Sequence, residues 1–357
     1  MTPASTPSHL SPSHQTTSWS WSAAVLLAAL LLALQTSGPP PAADRYQLTV
    51  KLRGDTTVDR TWVEPTVERV ATASEGDDYT LHDPSYLYAV DQDGIAYVVN
   101  PEDWMIRAFS ADGKFVTTYG EGPGPNPGEL TRVTSVGFKG DSLVYAAEPQ
   151  LRRVSYFAKD GSFVRAERYD ERVPYQIAWT DGPTQYTFPP PRPRTAFMHR
   201  TTPDRVRQID PPSRVEEPIL LDGVLRSMRD NIVVVMRYLP VILTYSADDL
   251  AGTAFPTPDY GMPLSALRGA GKRGAMLNYT PTISGGVLSV QVSAGEPDHL
   301  AFDLYDADAM TYLRSVRFPV ELERDPAGRA QAHYAHGSRS LVMAQDSVLS
   351  FYRVTMP

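Results

Sequence analysis

Two stretches of the chain repeat each other without a gap. The first is Asp93-Gly-Ile-Ala-Tyr-Val-Val-Asn-Pro-Glu-Asp-Trp-Met-Ile-Arg-Ala-Phe-Ser-Ala-Asp-Gly-Lys-Phe-Val116. The second is Asp141-Ser-Leu-Val-Tyr-Ala-Ala-Glu-Pro-Gln-Leu-Arg-Arg-Val-Ser-Tyr-Phe-Ala-Lys-Asp-Gly-Ser-Phe-Val164. Tyr97 matches Tyr145, Pro101 matches Pro149, Phe109 matches Phe157 and Asp112-Gly113 matches Asp160-Gly161, every pair 48 residues apart. A fixed period of this length marks a stacked supersecondary unit.

Each unit reads as four short strands. Tyr86 to Val90 and Thr134 to Phe138 alternate in polarity and form first strands. Asp93-Gly94 and Gly140-Asp141 turn the chain, and the runs around Tyr97 and Tyr145 are second strands. Pro101 and Pro149 fall in the next turns, because proline has no N–H to give a central ladder. Ile106 to Phe109 and Val154 to Phe157 are third strands. Asp112-Gly113 and Asp160-Gly161 are two-residue hairpin turns, where glycine takes up positive φ at low cost. Phe115 and Phe163 open fourth strands. Four antiparallel strands in 48 residues are the content of one propeller blade.

Further units diverge but keep the spacing. First strands start near 84, 132, 173, 226, 279 and 333, at intervals of 48, 41, 53, 53 and 54. The last unit holds only 25 residues from His333 to Pro357, about half a blade. The segment 44–70 carries two strand-like runs, Tyr46 to Leu52 and Thr61 to Val70, and no blade of its own. The expected fold is therefore all-β: a six-bladed β-propeller over 44–357, closed by the N-terminal strands completing the last blade. A five-bladed ring with a separate cap and a pair of β-sandwiches are the alternatives.

Composition agrees with this. The 357 residues are 42% hydrophobic and 21% charged, enough apolar material for a sizeable core. Proline, at 32 residues, is roughly twice its usual share and disfavours long helices. A formal charge of −8 argues against nucleic acid as a partner. With no cysteine, disulfides, thiolate nucleophiles and zinc–thiolate clusters are excluded.

Residues 1–43 form a separate segment. Ala23 to Leu34 is an unbroken apolar run of twelve residues, about 18 Å as a helix against roughly 30 Å of bilayer hydrocarbon. That length suits the h-region of an export signal, and small residues (Ser37, Ala42, Ala43) follow it. The segment before the run lacks the usual basic residues; the first is Arg45. Three readings stay open: a cleaved export signal, a retained single membrane anchor extended by Trp19 and Trp21, or a buried core helix. The expected location is the periplasm or cell envelope.

The linker Tyr119-Gly-Glu-Gly-Pro-Gly-Pro-Asn-Pro-Gly-Glu-Leu130, with Asp112-Gly-Lys-Phe-Val before it, resembles the NHL-repeat and TolB-like group of bacterial six-bladed β-propellers. In that group a glycine-proline loop ending in Gly-Glu-Phe or Gly-Glu-Leu joins one blade to the next; Gly128-Glu129-Leu130 matches it. The resemblance spans about 80–170. It departs in unit two, where Glu148-Pro-Gln-Leu-Arg-Arg153 replaces the usual Asp and Asn-Arg. It implies a fold that hosts binding modules and a minority of enzymes, and the fold alone does not choose between them.

Local motifs read as structure. Gly120-Glu-Gly-Pro-Gly124 is followed by prolines where a dinucleotide loop needs a helix. Gly269-Ala-Gly-Lys-Arg273 lacks the first glycine and the Ser/Thr of a phosphate loop. Asp91/Asp93 and Asp303/Asp306/Asp308 lack a closing bidentate acid for calcium and sit at hairpin turns, where aspartate binds its own backbone. His333 and His336, three apart on a strand, point to opposite faces. No catalytic or metal residues are assigned. Residues at the inner-strand starts, His82, Arg132, Tyr175, Arg226, Tyr279 and His333, mix cationic and aromatic character and are the candidate binding rim. The expected function is an exported, non-catalytic propeller without a cofactor, binding a small molecule, glycan or envelope protein on its ring face. The alternative is a lactonase-like hydrolase or a lyase with an ion, calcium for instance, in the central channel.

Overall fold

The computed structural model describes residues 44–47, 50–53, 58–77, 79–84, 88–169, 176–180, 184–188, 197–202, 204–210, 222–229, 231–246, 252–259, 278–292, 299–320, 331–345 and 347–357. All of these lie within the unit Ala43–Pro357. The described residues contain strands and turns and no helix, so none of them forms a helix long and apolar enough to cross a membrane. The export-signal reading of 1–43 and the Gly269–Arg273 loop lie outside them.

The chain opens with four strands, β1 (Asp44–Gln47), β2 (Val50–Leu52), β3 (Trp62–Val63) and β4 (Thr66–Ala73). A small hairpin, β5 (Glu75–Gly76) and β6 (Tyr79–Thr80), leads into the ring. Blade I is β7 (Tyr88–Val90), β8 (Ala96–Val99), β9 (Ile106–Phe109) and β10 (Phe115–Tyr119). Blade II is β11 (Ser135–Lys139), β12 (Leu143–Glu148), β13 (Arg153–Ala158) and β14 (Phe163–Arg168). Blade III is β15 (Gln176–Trp179), β16 (Gln185–Phe188), β17 (Met198–Thr201) and β18 (Val206–Asp210). Blade IV is β19 (Gly223–Met228), β20 (Asn231–Met236), β21 (Val241–Ser246) and β22 (Gly252–Pro256). Blade V is β23 (Asn278–Ser284), β24 (Val287–Val292), β25 (Leu300–Asp306) and β26 (Tyr312–Phe318). Blade VI takes β27 (Gln331–Ala335), β28 (Ser340–Gln345) and β29 (Val348–Thr355) from the chain end and β4 from its start.

The protein is thus a six-bladed β-propeller. Its first strands touch in a closed round, β7 to β11, β15, β19, β23, β27 and back to β7. The core follows the same round: each of six clusters of buried apolar side chains joins two neighbouring blades. Strands in these blades are buried on both faces, as the runs of β24 and β8 show, because each sheet is covered by a neighbour on either side.

The 48-residue repeat has a packing meaning. Tyr97 and Tyr145, both on second strands, lean on the inner strand of the following blade. Tyr97 meets Phe138 edge-on at 4.9 Å. Tyr145 meets Trp179 at 5.1 Å and its hydroxyl donates to the Ile177 carbonyl at 3.0 Å. The Asp-Gly turns point the other way, at the preceding blade. A Cβ on Gly113 would lie 2.4 Å from the Ala71 Cβ of β4, and one on Gly161 would lie 2.6 Å from the Thr118 carbonyl oxygen of β10. Both glycines have positive φ, so the sequence Asp-Gly is required by the backbone and by the neighbour alike.

Closure differs in one respect from the sequence reading. The N-terminal strand β4 completes blade VI, pairing antiparallel with β29 from Thr66↔Thr355 to Ala73↔Leu349. The earlier run, Tyr46 to Leu52, does not belong to that blade. Its strands β1 and β2 add in parallel to the outer strands β18 and β22 of blades III and IV, and β3 adds to β26 of blade V. The reason is arithmetic within the last unit. Tight turns let 331–355 form three strands, so only one more is needed, and the remaining N-terminal strands cover otherwise unpaired edges.

This belt is clasped by Arg60. Its guanidinium makes paired hydrogen bonds to Asp259 at 2.7 and 2.5 Å and to Asp303 at 3.1 and 3.0 Å. Asp303 is fully buried and also accepts the Ser315 hydroxyl at 2.6 Å. Burial opposes the Arg60 charge, but the two carboxylates outweigh it and hold the guanidinium more firmly protonated than usual. Beside it the Arg317 guanidinium lies 4.6 Å over the Trp62 ring, pinning β3.

Two predictions follow from this packing. Arg60→Met leaves the buried Asp303 carboxylate without its counter-ion and is expected to cost about 3–5 kcal/mol in denaturant unfolding; a loss of under about 1 kcal/mol would show the clasp to be dispensable. Gly161→Ala, strained in φ and pressed on the Thr118 carbonyl, is expected to lose more than about 2 kcal/mol, and Gly140→Ala, with positive φ but open space, about 1 kcal/mol. Equal losses would contradict the interblade role of the glycine.

Candidate functional site

The linker between blades I and II is a compact loop with no helix. Glu121 N–H donates to the Gly128 carbonyl at 3.0 Å, Leu130 N–H to Gly122 at 2.9 Å and Gly124 N–H to Leu130 at 3.2 Å. Glu148 and Arg153 hold it from below. Glu148 is fully buried, accepts from Arg153 at 2.8 and 2.9 Å, and takes the Thr131 N–H at 2.9 Å. Arg153 also donates to the carbonyls of Pro125 and Asn126, at 2.7 and 3.1 Å, and to that of Glu129. The Glu148 and Arg153 departure from the family pattern is therefore an internal ion pair that fastens an interblade loop. One period earlier, Asn100 does similar work, its Oδ1 accepting the His82 N–H at 3.1 Å.

At the ends of the inner strands the channel opens into a cavity of about 400 Å³. Residues of blades I to V line it. Its mouth is made by turns between first and second strands and between third and fourth strands: Asp93, Asp141, Lys159, Arg229, Gly285 and Asp308 stand there. Deeper in, apolar Ala89, Phe138, Ile177, Leu225 and Ile283 share the wall with Tyr145, Ser227, Thr282 and Ser284.

Most charges at the mouth are engaged with one another. Lys159 Nζ lies 2.7 Å from Asp91 Oδ2 and donates to the Tyr97 hydroxyl at 2.9 Å. Asp91 also accepts the N–H groups of Asp93 and Ile95, both at 3.0 Å, so it is a turn aspartate. Burial, then the Asp91 charge, raises the Tyr97 phenol and keeps it a donor. Arg229 pairs with Asp308 at 3.1 Å, and Gln92 donates to Asp141 at 3.1 Å. Asp306 likewise caps its own turn, accepting from Asp308 and Ala309. Among the described residues no three His, Asp or Glu side chains gather in a metal-holding group.

Arg226 stands apart inside this cavity. It sits on β19, donates from Nε to the Pro281 carbonyl at 3.2 Å and from Nη1 to the Leu225 carbonyl at 2.9 Å, and has no carboxylate partner among the described residues. Burial, reinforced by Arg237 and opposed by Tyr145, pushes its pKa down to about 10, so it stays charged at neutral pH.

The candidate rim residues occupy different environments. His82 lies in the loop before β7, 3.1 Å from the Glu102 carboxylate, and Arg132 is exposed in the loop before β11. Both belong to the loops leading into the inner strands, at the opposite ends from the cavity mouth. Tyr175 lies outside the described residues. Tyr279 is on β23. His333 is buried on β27, its Nδ1 2.8 Å from the Thr282 hydroxyl. A hydroxyl against an imidazole can make a nucleophile, but both side chains are almost fully buried, and the pair ties blade V to blade VI. Among the described side chains of this set, Arg226 is the one that lines the cavity. The mouth residues were passed over in sequence because Asp93-Gly and Gly140-Asp read fully as turns. The signal for them was the same 48-residue register, which sets both turns on one face.

No protein-family model matches the sequence, and no curated protein matches it. Solved structures do. A candidate exported protein from Bacteroides fragilis superposes with a TM-score of 0.52 at 13% identity, over 88% of this chain and all of that one. A member of a family of unknown function from Bacteroides vulgatus gives 0.50 at 12% identity, over 82% and 98%. A virginiamycin B lyase from Staphylococcus aureus gives 0.45 at 12% identity, over 81% and 99%. At these identities the likeness is one of fold: the six-bladed propeller.

Proposed function

We propose that the protein is an exported, non-catalytic binding module that admits a small-molecule ligand through the turn-lined mouth into the central channel. The observation that carries this reading is the cavity itself. About 400 Å³ is walled by side chains from five blades, so its shape is set by the closed ring before any ligand arrives. Apolar faces with polar groups converging on the same space are the usual make-up of such a site. The engaged state of Asp91, Lys159, Asp308, Arg229, Thr282 and His333 favours binding over chemistry. Export is supported by the apolar run Ala23 to Leu34 and by the shared fold of the candidate exported protein of Bacteroides fragilis.

The test is a ligand-observed NMR screen of the full chain against a library of small carboxylates, amines, sugars and neutral aromatics. Asp93→Trp and Asp308→Trp, both at exposed mouth positions, narrow the opening. Hits are expected to bind each variant at least about tenfold more weakly, about 1.4 kcal/mol. Hits that ignore both substitutions, or that are chemically converted, would contradict the proposal.

A further inference from the structure

Arg226 presents a charge to the channel with no carboxylate beside it among the described residues. We propose that its guanidinium seats the carboxylate of an organic monoanion whose apolar body fills the shaft. This rests on the channel reading above and narrows it to one ligand class.

The first argument is contrast. Four other interior arginines are neutralised by carboxylates: Arg60 by Asp259 and Asp303, Arg107 by Asp103, Arg153 by Glu148, and Arg237 by Asp222. Arg226 receives two backbone carbonyls instead. Among the described residues the titratable side chains that bear on it are Tyr145, whose hydroxyl is already given to Ile177, and Arg237, which is itself paired with Asp222. An enclosed cation without a counter-ion is destabilising, and an arriving anion removes that penalty.

The second argument is donor geometry. A guanidinium has five N–H groups in a planar fork. Two are used on the Pro281 and Leu225 carbonyls. Those on Nη2, and the second on Nη1, remain for a ligand. A planar carboxylate accepts two parallel N–H bonds from such a fork.

The third argument is what the cavity rejects. Beside Ala89, Phe138, Ile177, Leu225 and Ile283 the described polar side chains inward of the mouth are, apart from Arg226, neutral hydroxyls (Tyr145, Ser227, Thr282 and Ser284), so phosphate loses more solvation than one guanidinium returns. The carboxylates of Asp93 and Asp141 at the mouth, neither in an ion pair among the described residues, repel a second negative charge at the outer end. The ligand therefore carries its one negative charge inward and a neutral or positive group outward.

The experiment follows the thermal midpoint of the full chain with benzoate, and with benzylamine and inorganic phosphate as comparisons. Benzoate is expected to raise the midpoint in a saturable way, and the other two are not. In Arg226→Gln the benzoate shift is expected to vanish, while the unliganded midpoint matches or exceeds that of the native chain because the uncompensated charge is gone. Arg226→Lys, which keeps the charge and loses the fork, is expected to fold and to bind benzoate at least tenfold more weakly. An undiminished benzoate shift in either variant overturns the proposal. So does a phosphate shift as large as that of benzoate, or no benzoate shift in the native chain. If carboxylates fail while other library members still depend on Asp93 and Asp308, the carboxylate assignment falls and the channel reading stands. If both fail, both fall.

Discussion

The sixth hydrophobic seam is the constraint on which the rest depends. Five seams form between blades that follow each other in sequence. The one between blades VI and I joins the two ends of the ring, through Ala73 of β4, Leu349 and Phe351 of β29, and Val98 and Phe109 of blade I. If this seam opens, the facing sheets of blades VI and I meet water. The channel depends on the same closure, because its wall is shared among blades far apart in sequence. The chain commits its start to this task, and the β4–β29 ladder, the Gly113 turn pressed on Ala71 and the Phe109–Phe351 contact at 6.1 Å all converge there.

Polar groups add directionality to seams that apolar packing alone leaves free to slide. Tyr145 fastens blade II to III, Gln176 fastens III to IV through Leu225 N–H at 2.6 Å, Arg226 fastens IV to V, and Thr282 with His333 fastens V to VI. Each is a side chain of one blade bonded to its neighbour near the channel. The Arg226 tie is the odd member of this set, since a neutral side chain could have made the same carbonyl contacts without an uncompensated charge.

Much of the fold was legible because its determinants are local or periodic. Asp-Gly turns, alternating strands and the match of Tyr97 with Tyr145 need no knowledge of distant partners, and the half-blade at each end pointed to closure. What was not legible is partner choice over long separations. Nothing in Tyr46 to Leu52 tells it to lie on β18 and β22 rather than beside β29, since such strands differ only in what edge the finished ring leaves open. The site was harder still. Arg226 was legible as a charged residue on an inner strand, but that its partners among the described residues are two backbone carbonyls is a property of three dimensions. The rim positions His82 and Arg132 were placed at the starts of inner strands, and the cavity opens at their ends.

Cysteine-free sequence makes the central claim directly measurable. Glu68 and Arg353 are paired across β4 and β29, both exposed, with their side chains 3.2 Å apart. In a Glu68→Cys, Arg353→Cys chain, ring closure predicts near-complete disulfide formation within a monomer under mild oxidation, with a raised thermal midpoint and unchanged ligand binding. Free thiols, or disulfides only between chains, would show that the N-terminal strand does not complete the last blade.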